Sequence, residues 1–383
     1  MRLRMTLGLR ITAIFALVAT LVFGSSPRVG EAALANGRAT APPPAMALRG
    51  NSETRASGPS SRTLSSRTSR LASQQLATDG GRIAFASERE IFLMNSDGSG
   101  LVQLTYSASD VFNYQPALSP DGTRVAFATF QGSQAGIKII DVDGSGLRTL
   151  TTNNFTRDSE PAWSPDGQKI AFVRGFDPTS EGVANLSDCA PARIYVTEAD
   201  GVFTNPINLT PDQNSTDPAW SPDGTRIAFA SNLDGNYDIY SMASDGTDVQ
   251  QLTQTDEQEA EPAWSPDGKW IAYASGYLGA KVTCGFMHTG RDSEPIPTVH
   301  PDIYVMSNDG GNQTRLTETE NNLEPTWSPD ATSLAFVSYS EDAWEICVLD
   351  PAHKTPFCIT SDSGFKSSPS WSRSDPRLPI DSK

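Results

Sequence analysis

Histidine is nearly missing from this chain, with three in 383 residues. That leaves little material for a polyhistidine metal centre. Basic residues are scarce too. Lys and Arg total 29 against 45 Asp and Glu, a net charge of -16. A phosphate-rich partner needs a basic surface, so a nucleic-acid partner is excluded as a reading. The imbalance is uneven. Residues 1–78 hold ten Arg, no Lys and only Glu31 and Glu53, a net of +8, while residues 79–383 carry -24. No apolar run after residue 24 approaches the about 20 residues of a membrane-spanning helix, and no G-x-S-x-G nucleophile elbow is present. Glycine (30) and proline (27) are plentiful instead, so many turns are expected.

The N-terminus reads as an address. Arg2, Arg4 and Arg10 precede an apolar stretch from Ile11 to Gly24, the charged and hydrophobic regions of a signal peptide. Ala33-Leu34-Ala35 supplies a small-x-small cleavage pattern, giving a signal peptide over 1–35, with an uncleaved anchor as the alternative. No cysteine follows the apolar run to carry a lipid. Residues 36–78 are rich in Pro, Ser, Thr and Arg and are expected to form a disordered linker. Export implies an oxidising compartment, so the four cysteines are candidates for bridges. Cys347 and Cys358 fall in consecutive expected strands and form a possible disulfide. Cys189 and Cys284 lie in insertions of two different repeats, and their pairing is left open.

Internal repetition dominates the rest. Pro-Ala-Trp-Ser-Pro-Asp-Gly stands at 161–167, 218–224 and 262–268, with variants at 116–122, 325–331 and 369–375. The starts are 45, 57, 44, 63 and 44 residues apart. After each turn comes an apolar triplet such as Ile227-Ala228-Phe229, then a short alternating strand, an Asp-Gly turn and a closing pair such as Leu252-Thr253. Ser-Pro-Asp-Gly between apolar runs is a hairpin signal. Proline presets φ at the first central position, and glycine accepts the positive φ that follows. Four antiparallel strands per repeat form one small sheet that cannot bury both faces alone. Stacking sheets round an axis does so, which makes an all-β six-bladed β-propeller over 79–376 with a C-terminal tail at 377–383. Residues 81–105 are a repeat without its opening strand, and Pro369–Ser372 supply that strand. The first blade is therefore expected to be composite, closed by the C-terminal strand.

In this reading Trp163, Trp220, Trp264, Trp327 and Trp371 pack between blades, and Asp121, Asp166, Asp223, Asp267 and Asp330 build turns. One Asp per blade, spread round a ring, does not gather the oxygens that calcium needs. The block x-Pro-x-Trp-Ser-Pro-Asp-Gly, Ile-Ala-Phe, Asp-Gly, Leu-Thr resembles the WD40-like Pro-Asp repeat of the TolB propeller family, over roughly residues 80–375. The resemblance implies a six-bladed ring, a periplasmic setting and work within a complex that links outer membrane and cell wall. TolB proteins also carry an N-terminal α/β domain. Here the residues before Gly81 read as signal and linker.

Two connections are enlarged, at 175–192 in the third blade and 276–301 in the fifth. Both open on the face of the inter-blade connections, and grafted loops on a rigid rim are where repeat proteins bind. The second insertion gathers Cys284, His288, Arg291, Asp292, Glu294 and His300. These give a candidate binding face. The spacing matches no compact zinc motif, so neither a metal nor a cofactor is assigned. The reading is an exported non-catalytic propeller, periplasmic or secreted, binding a protein or cell-envelope component. It has no transmembrane segment after signal cleavage. The alternative is a hydrolase or polysaccharide lyase at the channel mouth, with Lys281 and Arg291 as candidates to meet an acidic sugar; no catalytic residue is nominated.

Overall fold

The computed structural model describes residues 80–373 except 133, 153–155, 177–190, 202–204, 278–300, 319–320, 341–342 and 362–363. The expected signal peptide, linker and C-terminal tail lie outside the described residues. So do nearly all of both insertions.

Six four-stranded antiparallel sheets form the six blades. Blade 1 joins β1 (Arg82–Ser87), β2 (Glu90–Asn95) and β3 (Val102–Gln103) to the last strand, β24 (Lys366–Ser372). Blade 2 comprises β4 (Val111–Leu118), β5 (Arg124–Gln131), β6 (Gln134–Asp141) and β7 (Arg148–Thr149). Blade 3 comprises β8 (Thr156–Trp163), β9 (Lys169–Phe176), β10 (Arg193–Glu198) and β11 (Ile207–Asn208). Blade 4 comprises β12 (Ser215–Trp220), β13 (Arg226–Ser231), β14 (Asp238–Ala243) and β15 (Gln250–Gln251). Blade 5 comprises β16 (Gln258–Trp264), β17 (Trp270–Tyr277), β18 (Asp302–Ser307) and β19 (Thr314–Arg315). Blade 6 comprises β20 (Asn322–Trp327), β21 (Leu334–Ser340), β22 (Ala343–Leu349) and β23 (Phe357–Cys358).

The composite first blade is present as the sequence implied. β24 pairs antiparallel with β1, with Ile83 opposite Trp371 and Ser87 opposite Lys366. Ser370 Oγ accepts the Leu118 N–H at 2.9 Å, and Ser372 Oγ donates to the Ser119 carbonyl at 2.9 Å. The closing strand is thus tied to blade 2 as well as to blade 1.

One expectation needs correction. The sequence implies four comparable strands per blade, but the fourth strand is only two residues long in all six. The Leu-Thr pair follows it and does the rest. Its threonine Oγ accepts the N–H of the isoleucine near the start of the third strand in every blade, from Thr105 to Ile91 (2.9 Å) round to Thr360 to Ile346 (2.9 Å). A side chain thus replaces the backbone partner that a longer strand would supply.

The core lies between blades. The apolar triplets are buried on both faces, with Ile227, Ala228 and Phe229 fully inside, because each second strand is covered by a neighbour on either side. One cluster joins blade 2 to blade 3 around Trp163, and another joins blade 6 to blade 1 around Trp371. Within blades, cross-strand aromatics stack at matched register: Phe85 on Phe92, Phe172 on Tyr195, Phe229 on Tyr240 and Tyr273 on Tyr304. In blade 6 the facing residue is Cys347, which is bonded to Cys358 on β23.

Candidate functional site

The two ends of the ring differ in construction. On one end lie the Ser-Pro-Asp-Gly turns. Asp223 Oδ1 accepts from Ser221 Oγ (2.6 Å), Thr225 N (3.0 Å) and Thr225 Oγ1 (2.9 Å), while Ser221 Oγ accepts the Arg226 N–H at 2.9 Å. The same serine–aspartate bond recurs at Asp121, Asp166, Asp267 and Asp330, at 2.6–2.7 Å. These hydrogen bonds favour the charged form. Ser221 and the Thr225 backbone hold Asp223 below the usual carboxylate range, and Lys269 and Ser265 bring Asp267 to about 2. Every member of this aspartate set is occupied with its own turn.

The tryptophans lie at the blade interfaces. Trp163, Trp327 and Trp371 are buried, whereas Trp220 and Trp264 are half-buried. Trp163 donates from Nε1 to the Ala117 carbonyl of blade 2 at 3.0 Å, and Trp327 donates to Ala263 of blade 5 at 3.1 Å. Trp220 Nε1 and Trp264 Nε1 have no acceptor among the described residues.

The central channel is lined by a ring that the motif search passed over. Gln115, Glu160, Asp217, Glu261, Glu324 and Ser368 each precede the motif proline, and all six have positive φ between 51° and 58°. A register shift accompanies each, because one extra residue is fitted opposite a proline that has no N–H to donate. The side chains reach round the ring. Gln115 Oε1 accepts the Glu160 N–H (3.1 Å), Glu160 Oε2 accepts the Asp217 N–H (2.7 Å) and Glu261 Oε2 accepts the Glu324 N–H (2.6 Å). Glu324 in turn accepts the Ser368 N–H, and the Ser368 hydroxyl at 3.0 Å. The space they line is about 160 Å³ and opens to solvent. The carboxylates of Glu160, Glu261 and Glu324 therefore serve as inter-blade fasteners. Among the described residues no group of three or more His, Cys, Asp or Glu is arranged to hold a metal ion. The signal was present in sequence, as a mostly acidic column directly before each motif proline.

The other end, the rim, carries the second-to-third-strand loops and the connections between blades. Arg89 lies over the Phe112 ring (4.4 Å), Phe112 meets Phe130 (6.1 Å between centroids), and Arg157 lies over Phe130 (4.2 Å). This arc spans blades 1, 2 and 3. Beside it Arg174 grips the fully buried Asp158 through two bonds of 2.6 and 2.8 Å. On blade 6 the rim carries Trp344, which meets both Tyr339 and, from the connection to blade 1, Phe365. The sequence-selected residues His288, Arg291, Asp292, Glu294 and His300 lie outside the described residues, as do Cys189 and Cys284.

Comparison with known proteins agrees with this geometry. The family model for the TolB beta propeller domain, PD40, matches residues 116–295. The fold is a TolB-like six-bladed β-propeller. A TolB homologue of Chlorobium luteolum is 30% identical over 167 residues, 43% of this chain and 34% of the relative. A tricorn protease homologue of Streptomyces coelicolor is 25% identical over 221 residues, 46% of this chain and 20% of the relative. The crystal structure of TolB from Acinetobacter baumannii superposes with a TM-score of 0.60 at 18% identity, covering 81% of this chain and 72% of that one. The chain spans about a third of the length of the TolB homologues it matches.

Proposed function

We propose that the chain is an exported, non-catalytic propeller, periplasmic or secreted. It binds a protein or cell-envelope polymer through the rim that carries the 175–192 and 276–301 insertions. The contrast between the two ends supports this reading. On the turn end the repeated polar side chains are spent on holding the turns. The rim instead presents the exposed Arg89 and the half-buried Phe112, Phe130 and Arg157, a mixed aromatic and cationic surface of the kind found at binding hot spots. The strongly negative remainder disfavours acidic polymers and favours basic partners, while the cationic arc itself suits carboxylate or neutral polar groups.

The test is affinity capture with the full chain, from envelope and secreted material of the source organism. A second bait has the 276–301 insertion shortened, and bound proteins and glycans are identified by mass spectrometry. The expected result is a partner held by the first bait and lost from the second. A folded full-length bait that retains nothing would overturn the binding reading. A substrate screen aimed at the channel mouth would then follow.

A further inference from the structure

The blades meet through a second repeating polar contact that the motifs do not reveal. One side is the residue immediately before the isoleucine of each third strand: Glu90, Gly136, Arg193, Asp238, Asp302 and Glu345. The other is the residue three places before the motif proline of the next blade: Asn113, Asp158, Ser215, Glu259, Asn322 and Lys366. Where an acid stands on the first side, the partner normally complements it. Asn113 Nδ2 donates to Glu90 Oε2 at 3.0 Å, Asn322 Nδ2 donates to Asp302 Oδ1 at 3.0 Å, and Lys366 Nζ lies 3.7 Å from Glu345 Oε2. Arg193 faces Ser215. Asp158, whose counterpart is Gly136, takes its cation from its own blade in Arg174.

The seam between blades 4 and 5 departs from this rule, because Asp238 and Glu259 place acid against acid. Both are buried, at 2% and 0% exposure, and their carboxyls are within hydrogen-bonding reach of each other. Neither joins an ion pair among the described residues. Arg315, a cation on blade 5, is committed to Asp302. Hydroxyls serve Glu259 instead: Thr253 at 3.0 Å, Ser275 at 3.2 Å, and Thr255. Ser275 has one hydrogen to give and lies equally 3.2 Å from Glu257. Gln251 donates to Asp238 Oδ2 at 3.0 Å, while Asp238 Oδ1 is buried with no donor among the described residues. The other titratable groups round the pair are Glu257, Tyr273 and Tyr304, with Asp234 and Tyr240 beyond Asp238. None is cationic at neutral pH.

We propose that Asp238 and Glu259 share one proton, that this proton is the missing donor of the seam, and that its loss loosens blade 5 from blade 4. Two adjacent buried carboxylates cannot both ionise without large repulsion. With the proton in place the pair imitates the acid–amide contacts of the Glu90–Asn113 and Asp302–Asn322 seams. Without it, two like charges face each other at the root of the blade that bears the 276–301 insertion. Consistent with this, burial first, and then the neighbouring Asp238, push the Glu259 carboxyl up to about 7, against the pull of the threonine hydroxyls. The folded state thus keeps its proton to higher pH than the unfolded chain does. Stability falls as pH rises from about 4.5 to about 7 and levels off above. The device is a seam that tightens in mildly acidic surroundings.

Glu259→Gln in the full chain tests this, since the amide restores an acid–amide pair. The readout is the Tm difference between variant and parent from pH 5 to pH 8.5, which cancels the pH dependence common to both. The difference is expected to be near zero at pH 5 and to rise to about 3–6 °C in favour of the variant by pH 8. A difference that stays flat with pH, or a variant less stable than the parent at pH 8, overturns the proposal. Asp238→Asn is the second variant, with the same expected sign. A third readout needs no variant: amide hydrogen exchange of β14 and β16 relative to β18 and β20 in the parent protein. Protection at the 4–5 seam should drop relative to the 5–6 seam between pH 5.5 and 8, and an unchanged ratio overturns the proposal.

Discussion

The turn end and the rim of this ring are made from the same strands yet obey different rules. At the turn end blades 2 to 6 repeat one solution: serine to aspartate, aspartate to the backbone two residues on, and positive φ at a glycine, or at Ala331 in blade 6. At the rim the connections differ in length, two residues in blades 1, 2 and 6 and longer in blades 3, 4 and 5. Blade 1 turns through Glu88 and Arg89, both at positive φ, blade 4 uses a loop from 232 to 237, and blades 3 and 5 carry the long insertions. The lesson concerns where a repeat protein keeps its freedom. The turn end must fit the neighbouring blade closely. The Asp-Gly glycines Gly98, Gly246 and Gly310 pack on the backbone of the closing Ile-Thr or Leu-Thr pair of the blade before, and a Cβ on Gly310 would stand 2.6 Å from the Leu252 carbonyl oxygen. The rim has fewer such obligations, so its sequence is available for recognition.

The largest expected break in this comparison strikes both ends at once. Deleting residues 367–383 removes nearly all of β24. The partner of β1 goes with it, along with the Ser368 link in the channel ring and the serine ties to blade 2. Blades 1 and 2 then lose their shared inner strand and the ring opens an edge. Calorimetry should show Tm lowered by about 10 °C or more, with a broadened transition. An unchanged melting profile would show that β24 does not close the ring.

A sharper test belongs to the turn end alone. Gly310→Ala forces a Cβ against the Leu252 carbonyl at a residue whose φ is 88°, so backbone strain and overlap act together. A loss of about 2–4 kcal/mol is expected in denaturant unfolding. Gly132→Ala is the control, because its φ is also positive (59°) but nothing lies within 4 Å of the added carbon. That change should cost only about 1 kcal/mol. Equal losses at the two positions would mean that inter-blade packing at the turn end is not what constrains the glycine.

How much of this was legible in the sequence follows the same division. The Ser-Pro-Asp-Gly turns, the blade count and the composite closure were readable because a period of about 44 residues overlays them six times. The two-residue fourth strand was not, because the Thr105-type side chain completes it and a hydroxyl leaves no periodic trace of its partner. The channel ring stood in view beside each proline, but Gln115, Asp217 and Ser368 vary in type, and only the positive φ shows that they share a task. The Asp238–Glu259 seam was hidden further. Its partners come from different repeats, and acid meeting acid is visible only once blade 4 is placed against blade 5. Insertions such as 276–301 have no second copy to be aligned with, so residues chosen there rested on chemistry alone.

The smallest effect separates the two ends by the direction of their pH dependence. Asp223 is held below its usual range by Ser221 and Thr225, so its folded state releases the proton more readily than the unfolded chain does. The contribution is present above about pH 4 and is lost as pH falls through the folded value. Asp223 is largely open to solvent, and screening keeps the effect of Asp223→Asn to about 0.5–1 kcal/mol at neutral pH. Its deficit relative to the parent should shrink as pH falls through the folded value of Asp223, where both come to carry a neutral side chain. Glu259→Gln should do the reverse, level with the parent in acid and ahead of it above neutrality. Measured side by side by urea unfolding, the two curves should diverge from the parent at opposite ends of the pH range. If both variants instead followed the parent at a constant offset, charge would not distinguish the turn carboxylates from the seam. The contrast would then reduce to loop length at the rim.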